Sequence, residues 1–229
     1  MSVVQAVSLP LKIIAIPFLE IKKILFYHPT YNRYVKLQND YARLQKSFIS
    51  QSELSAENAR LRELLDFKQR LTYPSLAAHV VGRDPSSWTS SIVIDRGKNH
   101  GLKVGLPVVN ASGVIGKVTE VGATMSRVIL LTDPNFSVGA IVERTRDNGL
   151  VSGTLQGFCR MEYVAADAQV KEGDQVVTSQ LSYSFPEGFL LGVIRRVEES
   201  QSNPTLECLL EPAVNFSQLE EVLVLLTWR

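Results

Sequence analysis

The side chains that most often carry nucleophilic or metal chemistry are few and widely separated in this sequence. The histidines are His28, His79 and His100, and the cysteines are Cys159 and Cys208. Nucleophilic catalysis needs a serine or cysteine that a base activates and a third group orients, and no such arrangement is visible. The histidines and cysteines also lack the spacing of metal ligands. We therefore predict no catalytic residue, no metal site and no cofactor; the cysteines form either a disulfide or, as we favour, two buried thiols.

Aspartate, glycine and proline residues mark the ends of predicted strands rather than a binding site. An Asp beside Gly or Pro caps a turn through nearby backbone groups, and Gly permits tight bending or close backbone approach. Ser152 comes closest to the setting of a protease nucleophile, but that setting is typical of a strand end. We interpret the following residues as fold-determining turn positions: Asp95, Gly97, Gly101, Gly113, Gly116, Asp133, Gly173, Asp174, Pro186 and Gly188.

Length and charge limit the possible function classes. The 229 residues carry a formal net charge of +1, with a pI near 7.8. Basic residues are not interleaved with aromatic ones, so the sequence gives no reason to expect a nucleic-acid partner.

The elements that position these residues begin with a long helix over residues 31–71. Its apolar residues recur at alternating steps of three and four, which average a 3.5-residue period and leave a narrow seam for a partner helix. With one such helix in the chain, the partner is expected to be a second copy, although a solvated helix lying across the β-domain is the alternative. The seam consists of Tyr34, Leu37, Tyr41, Leu44, Phe48, Leu54, Asn58, Leu61 and Leu65.

Two irregularities refine this coiled-coil prediction. An extra three-residue step between Gln51 and Leu54 overwinds a coiled coil locally, so the coil is expected to be weakest there. Asn58 occupies a core position, where a polar amide costs stability but fixes register and strand number. The helix is expected to end before Pro74, which disfavours helical geometry in the residue preceding it.

Residues 1–29 form an apolar, membrane-proximal segment. A membrane-spanning helix needs roughly 20 apolar residues with few charges, whereas Pro10, Lys12, Pro17, Glu20 and Lys22 interrupt this run. From Pro17 onward the pattern predicts an amphipathic helix, lying either at a membrane surface or against a partner chain. We favour a segment that lies at a membrane surface or just outside it; an unusual membrane anchor is the alternative.

After residue 74 the hydrophobic period changes to two. About a dozen short strands follow at spacings of roughly 8–12 residues, which favours barrels or sandwiches over a parallel sheet. We predict a mainly β protein in which a coiled-coil helix (30–73) carries two small six-stranded antiparallel barrels, since closure removes exposed strand edges. The first barrel is assigned to residues 74–123 plus 188–229 and the second to residues 124–187.

From residue 57 to the end of the chain, the sequence resembles the bacterial rod-shape-determining protein family MreC. No single matching segment is specific to the family, but the order and spacing of these segments over about 150 residues are specific. The matching segments are residues 57–65, 82–85 with Trp88, 94–97 with Gly101, 107–108, 113–118, 131–133, 173–179 and 185–188. The chain departs from the family pattern at Gln180, where the family usually has Gly, and it shows no adequate membrane anchor.

The resemblance implies a non-enzymatic scaffold of the cell-elongation machinery with a chymotrypsin-like barrel fold. Such a protein is attached to the cytoplasmic membrane and faces the periplasm or extracytoplasmic space. Its implied partners are a second copy of itself, the class B penicillin-binding transpeptidase of elongation, MreD and, across the membrane, the MreB system. The sequence gives weaker support to two other functions. A periplasmic adaptor of an export system usually contains a helical hairpin, whereas this chain has one long helix. A chymotrypsin-like hydrolase needs a triad, and none is visible here.

Overall fold

A computed structural model describes residues 15–83, 90–199 and 204–227, with the side chains of the helix described from residue 33 onward. Within these ranges one helix precedes twelve strands, close to the dozen that the sequence predicts. Helix α1 spans Ala15–Arg70. The strands are β1 Ser75–Arg83, β2 Ser91–Ile94, β3 Pro107–Asn110, β4 Gly113–Val121, β5 Ser126–Leu130, β6 Ser137–Val142, β7 Asn148–Gly153, β8 Cys159–Ala165, β9 Gln175–Thr178, β10 Leu190–Glu199, β11 Thr205–Pro212 and β12 Glu221–Leu225.

The strands close into two six-stranded antiparallel barrels. Barrel 1 has the order β1-β12-β3-β4-β5-β2, and barrel 2 has the order β10-β11-β8-β7-β6-β9. The predicted fold class, mainly β with two closed six-stranded barrels, is confirmed.

The assignment of strands to the barrels differs from the prediction. Strand β5 belongs to barrel 1, β10 and β11 belong to barrel 2, and only β12 returns from the last part of the chain. The reason is that β10 pairs with β9 and β11 pairs with β8, and the two strands direct Ile194 and Leu210 into the core of barrel 2. Barrel 2 is therefore inserted between the fifth and the last strand of barrel 1.

The Asn-Gly pair at residues 148–149 is typical of hairpin turns, but it does not form the turn between β6 and β7. Asn148 and Gly149 lie within β7, paired with β6, and the turn precedes them. Arg146 takes the left-handed conformation there, with φ 64°, and its N–H donates to the carbonyl of Val142 at 2.8 Å. Gly149 has a packing role instead, because a Cβ there would lie 2.6 Å from the Met161 side chain.

The helix is longer than predicted at its amino-terminal end. It begins at Ala15 and ends at Arg70, four residues before Pro74. The first half of the membrane-proximal segment, residues 1–14, lies outside the described residues. Within the part of the chain that the structure describes, α1 has no stretch with the length and hydropathy that a membrane crossing requires. Contacts divide the chain into Met1–Asn58 and a second unit, Ala59–Arg229, which contains the helix end and both barrels.

Strand β12 is buried on both faces. Val222 and Val224 point into the core of barrel 1. Leu223 and Leu225 point outward, yet they are fully buried together with Val109 beneath the end of α1. A strand that is buried on both faces carries apolar residues in succession rather than in alternation, and residues 222–226 are all apolar.

The two barrels pack against each other through side chains and close backbone contacts. Val114 of barrel 1 lies in the core cluster of barrel 2 with Phe136 and Leu191. Gly113 has φ 151°, and a Cβ there would lie 2.2 Å from the carbonyl oxygen of Leu190. Only a glycine therefore permits this contact between β4 and the start of β10.

Candidate interaction surfaces

The histidines do not assemble a nucleophilic site among the described residues. His79 is an exposed residue of β1, and its backbone N–H donates to Asp95 Oδ1 at 2.8 Å. His100 lies in a short 3-10 turn, where its Nδ1 accepts a hydrogen bond from the Gly97 N–H at 3.2 Å. In this part of the chain neither imidazole is bonded to a serine or cysteine side chain. The side chain of His28 lies outside the described residues.

The buried hydroxyls at the end of β9 hold a loop in place. Thr178 Oγ1 donates to the carbonyl of Pro186 at 2.6 Å and accepts from the N–H of Phe189 at 2.9 Å. Ser179 is also buried, and its Oγ accepts from the Leu181 N–H at 3.2 Å. Both hydroxyls are thus occupied in fixing residues 179–188, which we call the barrel 2 loop.

Two of the predicted turn aspartates each bridge two segments of barrel 1. Asp95 accepts from the backbone of β1, as described above, and pairs with Arg96 at 2.8 Å. Asp133 is fully buried; it accepts from the Asn135 N–H within its own turn and from the Ser90 N–H, both at 2.8 Å. Each carboxylate therefore ties a turn to a neighbouring strand end, beyond the local capping that the sequence predicts.

The third aspartate forms the most complete ion pair of barrel 2. Asp174 receives two hydrogen bonds from Arg144, at 2.7 Å (Nε) and 2.6 Å (Nη2), and one from the Lys171 N–H at 3.0 Å. Arg144 also donates to the carbonyl of Gln169. The bonds from Arg144 lower the pKa of the Asp174 carboxyl, with the Lys171 amide adding to the effect, and Asp174 raises the pKa of Arg144 in turn. The pair joins the turn before β7 to the segment before β9.

The predicted turn glycines fall into two groups. Gly101, Gly173 and Gly188 have φ between 84° and 90°, a backbone region that residues with a side chain rarely adopt. Gly97 and Gly116 lie where a Cβ would meet backbone, at 2.5 Å from the Gly122 oxygen and 1.8 Å from the Ile129 oxygen respectively. These positions shape the barrels and bring no reactive side chains together.

The two cysteines are free thiols inside barrel 2. Burial raises the pKa of Cys159 to about 12 and that of Cys208 to about 11, where the charge of Asp174 adds to the effect. The Cys159 thiol faces the carbonyl oxygen of Leu131 at 3.6 Å. Among the described residues, no group of His, Cys, Asp and Glu side chains is placed to hold a metal ion.

The predicted seam of α1 lies open in the single chain. Its large apolar side chains expose from 39% of their surface, at Leu61, to 75%, at Phe48. Asn58 is exposed too, and its amide donates to the Leu54 carbonyl of its own helix at 3.3 Å.

A second apolar face at the end of α1 was missed by the sequence analysis. Leu64, Phe67 and Leu71 are half-buried against Val109, Leu223 and Leu225 of barrel 1. Their spacing of three and four residues is itself a helical signal, although its position beside the stronger seam conceals it. We call these three residues the docking stripe.

A charged group extends the contact of the docking stripe toward the start of β12. Arg60 pairs with Glu220, and its Nε lies 3.6 Å from Glu221 Oε2. The side chain of Glu221 is 10% exposed and that of Arg60 40%. A small pocket of about 110 Å³ adjoins this group, between the helix end and the loop from Asn110 to Ser112.

Barrel 2 carries the most exposed apolar side chains of the two barrels. Leu181 and Tyr183 in the barrel 2 loop are each 80% exposed, and Leu155 and Phe158 protrude at the tip between β7 and β8. The loop is not loosely attached. The backbone of Ser182 packs closely over Gly139 of β6, and Phe185 meets Phe136 edge-on with ring centroids 5.9 Å apart. The loop thus presents apolar side chains from a well-anchored backbone.

These features define a class of protein: a double β-barrel attached to a long helix, with exposed apolar faces suited to contacts between proteins. The model of the family "Rod shape-determining protein MreC, barrel core" matches residues 80–226. The chain belongs to the MreC family of cell shape-determining proteins, as its resemblance implies.

Individual relatives agree with this assignment. The chain is 33% identical over 205 residues to the cell shape-determining protein MreC of Listeria monocytogenes, covering 85% of this chain and 69% of the relative. It is 34% identical over 174 residues to that of Haemophilus influenzae, covering 76% and 50%. A solved MreC structure superimposes with a TM-score of 0.71 at 35% identity, over 75% of this chain and 98% of that one. The chain thus spans about half to two thirds of the length of these curated relatives.

A more distant structure shares the fold and was solved with a partner. It is described as a complex between penicillin-binding protein PBP2 and MreC from Helicobacter pylori. The TM-score is 0.55 at 13% identity, with 68% of this chain and all of that chain covered.

Proposed function

We propose that this protein is a non-enzymatic scaffold of the rod-shape machinery, which dimerises through α1 and organises peptidoglycan-synthesis proteins outside the cytoplasmic membrane. The observation that carries the proposal is the open seam of α1. Contiguous exposed apolar surface marks interaction sites in soluble proteins. A seam of 3.5-residue period fits another helix, and the same seam on a second copy is its simplest complement.

Asn58 gives this dimer a means of selecting its register. In the single chain its amide bonds to its own helix, by a 3.3 Å contact with the Leu54 carbonyl. In a parallel in-register pair, the two Asn58 amides face each other and can bond across the interface. A shifted pair would place each amide against apolar side chains, and that mismatch disfavours the shift.

The partner proposed for the barrels is the class B penicillin-binding transpeptidase. A protein of this fold from Helicobacter pylori forms a complex with a penicillin-binding protein. Interface cores are enriched in aromatic residues and depleted of charge, which suits Leu181 and Tyr183 on the barrel 2 loop. MreD and the MreB system across the membrane are further proposed partners, consistent with a location at the cytoplasmic membrane facing the periplasm or extracytoplasmic space.

A role without catalysis is supported by the way the buried hydroxyls are used. Thr178 and Ser179 bond to backbone groups of the barrel 2 loop. A serine nucleophile instead needs its hydroxyl bonded to a base. Labelling of the full chain with a serine-reactive probe is expected to give no adduct, and stoichiometric labelling would contradict this part of the proposal.

The dimer is tested by placing charges in the seam. Leu44→Asp combined with Leu61→Asp puts carboxylates face to face in the pair, so we expect monomers with folded barrels in sedimentation at micromolar concentration. Lys36→Asp combined with Arg62→Asp changes exposed residues outside the seam and serves as the control, which should remain dimeric. A dimer that persists in the seam variant would place self-association elsewhere.

Binding to the transpeptidase is tested with charges in the barrel 2 loop. The full chain is titrated with the extracytoplasmic part of the elongation transpeptidase from the same organism. We expect saturable binding that Leu181→Asp combined with Tyr183→Asp weakens by at least about tenfold, since buried interface anchors typically contribute about 2 kcal/mol or more. Val104→Asp, at an exposed residue of barrel 1, should bind normally. Equal weakening by both variants, or by neither, would exclude the loop as the site.

A further inference from the structure

The last turns of α1 present two apolar faces, of which barrel 1 covers one. The docking stripe is half-buried on barrel 1, whereas Leu61 and Leu65 of the seam, on the same turns, remain 39% and 54% exposed. At about 100° per residue, the centres of the two faces are separated by roughly 110° around the helix. A helix packed on Leu61 and Leu65 therefore need not displace barrel 1.

The docked face resembles the interior of the protein in its packing. Leu223, Leu225 and Val109, the barrel residues beneath it, are all fully buried. The contact extends from Arg60, which pairs with Glu220, to Leu71, where the helix has ended. It therefore covers the final three turns of α1. A contact this apolar holds two elements in one relative position, whereas domains joined by a linker alone move by default.

We propose that the docking stripe positions the barrels in the dimer: it fixes the angle of barrel 1 about the axis on which a second copy pairs. This inference rests on the proposed dimer and assigns it a geometry. Only residues 71–74 connect α1 to β1, and without the stripe those residues would let barrel 1 rotate about the end of the helix. With the stripe docked, two copies carry their barrels at one defined separation, as a scaffold that spaces its partners requires.

The test measures the separation between the barrels of two copies in the full chain. A spin label is attached at Lys103→Cys, an exposed site on barrel 1; the native Cys159 and Cys208 are buried and stay unlabelled. Electron–electron distance measurement on the dimer is expected to give one narrow distribution. Phe67→Ser should broaden that distribution by roughly twofold or more, because the barrels become free to rotate.

Matched variants make the outcome specific. Gln69→Ser changes an exposed residue of the same turns and should keep the narrow distribution. Leu64→Ala is a milder truncation of the docked face. If circular dichroism shows that Phe67→Ser fails to fold, the distance distribution of Leu64→Ala is compared with that of the wild type instead.

Sedimentation of each labelled sample separates the two hypotheses. A wild-type monomer would refute the proposed dimer. A wild-type dimer whose distances are already broad, or docking variants whose distances stay narrow, would overturn the positioning role while leaving the dimer intact.

Discussion

The two barrels have the same number of strands but differ in how the chain completes them. Barrel 1 needs β12, which follows β5 by 90 residues, and it buries that strand on both faces beneath α1. Barrel 2 is built from one continuous segment, β6 to β11, and it carries the most exposed apolar side chains of the two. Barrel 1 is thus completed by a distant strand that lies beneath the helix end, whereas barrel 2 is completed within one segment and holds the more exposed apolar side chains.

The two barrels also differ in the entropy that is lost when each one closes. Closing barrel 1 brings together residues far apart in the sequence, and the entropy of closing that loop is lost before the contacts form. Barrel 2 closes within one continuous segment, in which β6 pairs with β9 and β8 pairs with β11, and its core has buried side chains around Met161, Ile194 and Leu210. We therefore expect barrel 2 to retain structure in variants that open barrel 1.

The largest effect is expected from a charge beneath the helix. Leu223→Asp places a carboxylate where the outer face of β12 is fully buried, at a cost of about 4 kcal/mol or more. Hydrogen exchange should then show lost protection in β1, β3 and β12, while β6 to β11 remain protected. Val104→Asp, at an exposed site, is the control. Equal loss of protection in both barrels would contradict their independence.

A cavity in barrel 2 should give the opposite pattern with a smaller effect. Met161→Ala removes a fully buried side chain from the core of barrel 2, and such truncations cost about 2–5 kcal/mol. Chemical denaturation is expected to show reduced stability, with exchange faster in β7, β8 and β11 and unchanged in β12. Met125→Ala, at an exposed methionine, is the matched control. Faster exchange in β12 would indicate that the barrels unfold as one unit.

The sequence predicted the elements of both barrels well because their signals are local. Alternating apolar residues and turn residues predicted about a dozen short strands, and the described residues form twelve. Which strands share a barrel is a different question, because an apolar face does not specify its partner. Strands β10 and β11 could have completed either barrel on that evidence, and their pairing with β9 and β8 places them in barrel 2.

The misassigned features have physical reasons of the same kind. Asn148 and Gly149 resemble a hairpin turn, but Gly149 is needed where Met161 crowds the strand, and Arg146 makes the turn. The docking stripe escaped recognition beside the stronger seam, since only the barrel shows what lies against Phe67. The continuous apolar run of β12 was a usable signal, because a strand without alternation needs cover on both faces.

A still smaller effect is expected from the ion pair of barrel 2 and its response to pH. Arg144 holds the pKa of Asp174 below its ordinary value. The stabilisation is therefore fully present above the unfolded-state pKa, near about 3.9, and is lost as pH falls through the lower folded-state pKa. Arg144→Met should lower the denaturation midpoint at neutral pH, and the difference from wild type should shrink in acid. Arg146→Met is the control. A difference independent of pH would exclude the linkage.

The smallest expected effect is on the rate at which a reagent modifies the two thiols inside barrel 2. This measurement does not require any change to the wild-type fold. A thiol reacts as its thiolate, and burial raises the pKa of Cys159 to about 12 and that of Cys208 to about 11. A thiol reagent at neutral pH should therefore modify neither cysteine in the folded chain and both in denaturant. If barrel 2 is the independent unit, Leu223→Asp should leave both thiols protected while Met161→Ala exposes them more often. Faster modification in Leu223→Asp than in Met161→Ala would mean that opening barrel 1 opens barrel 2 as well.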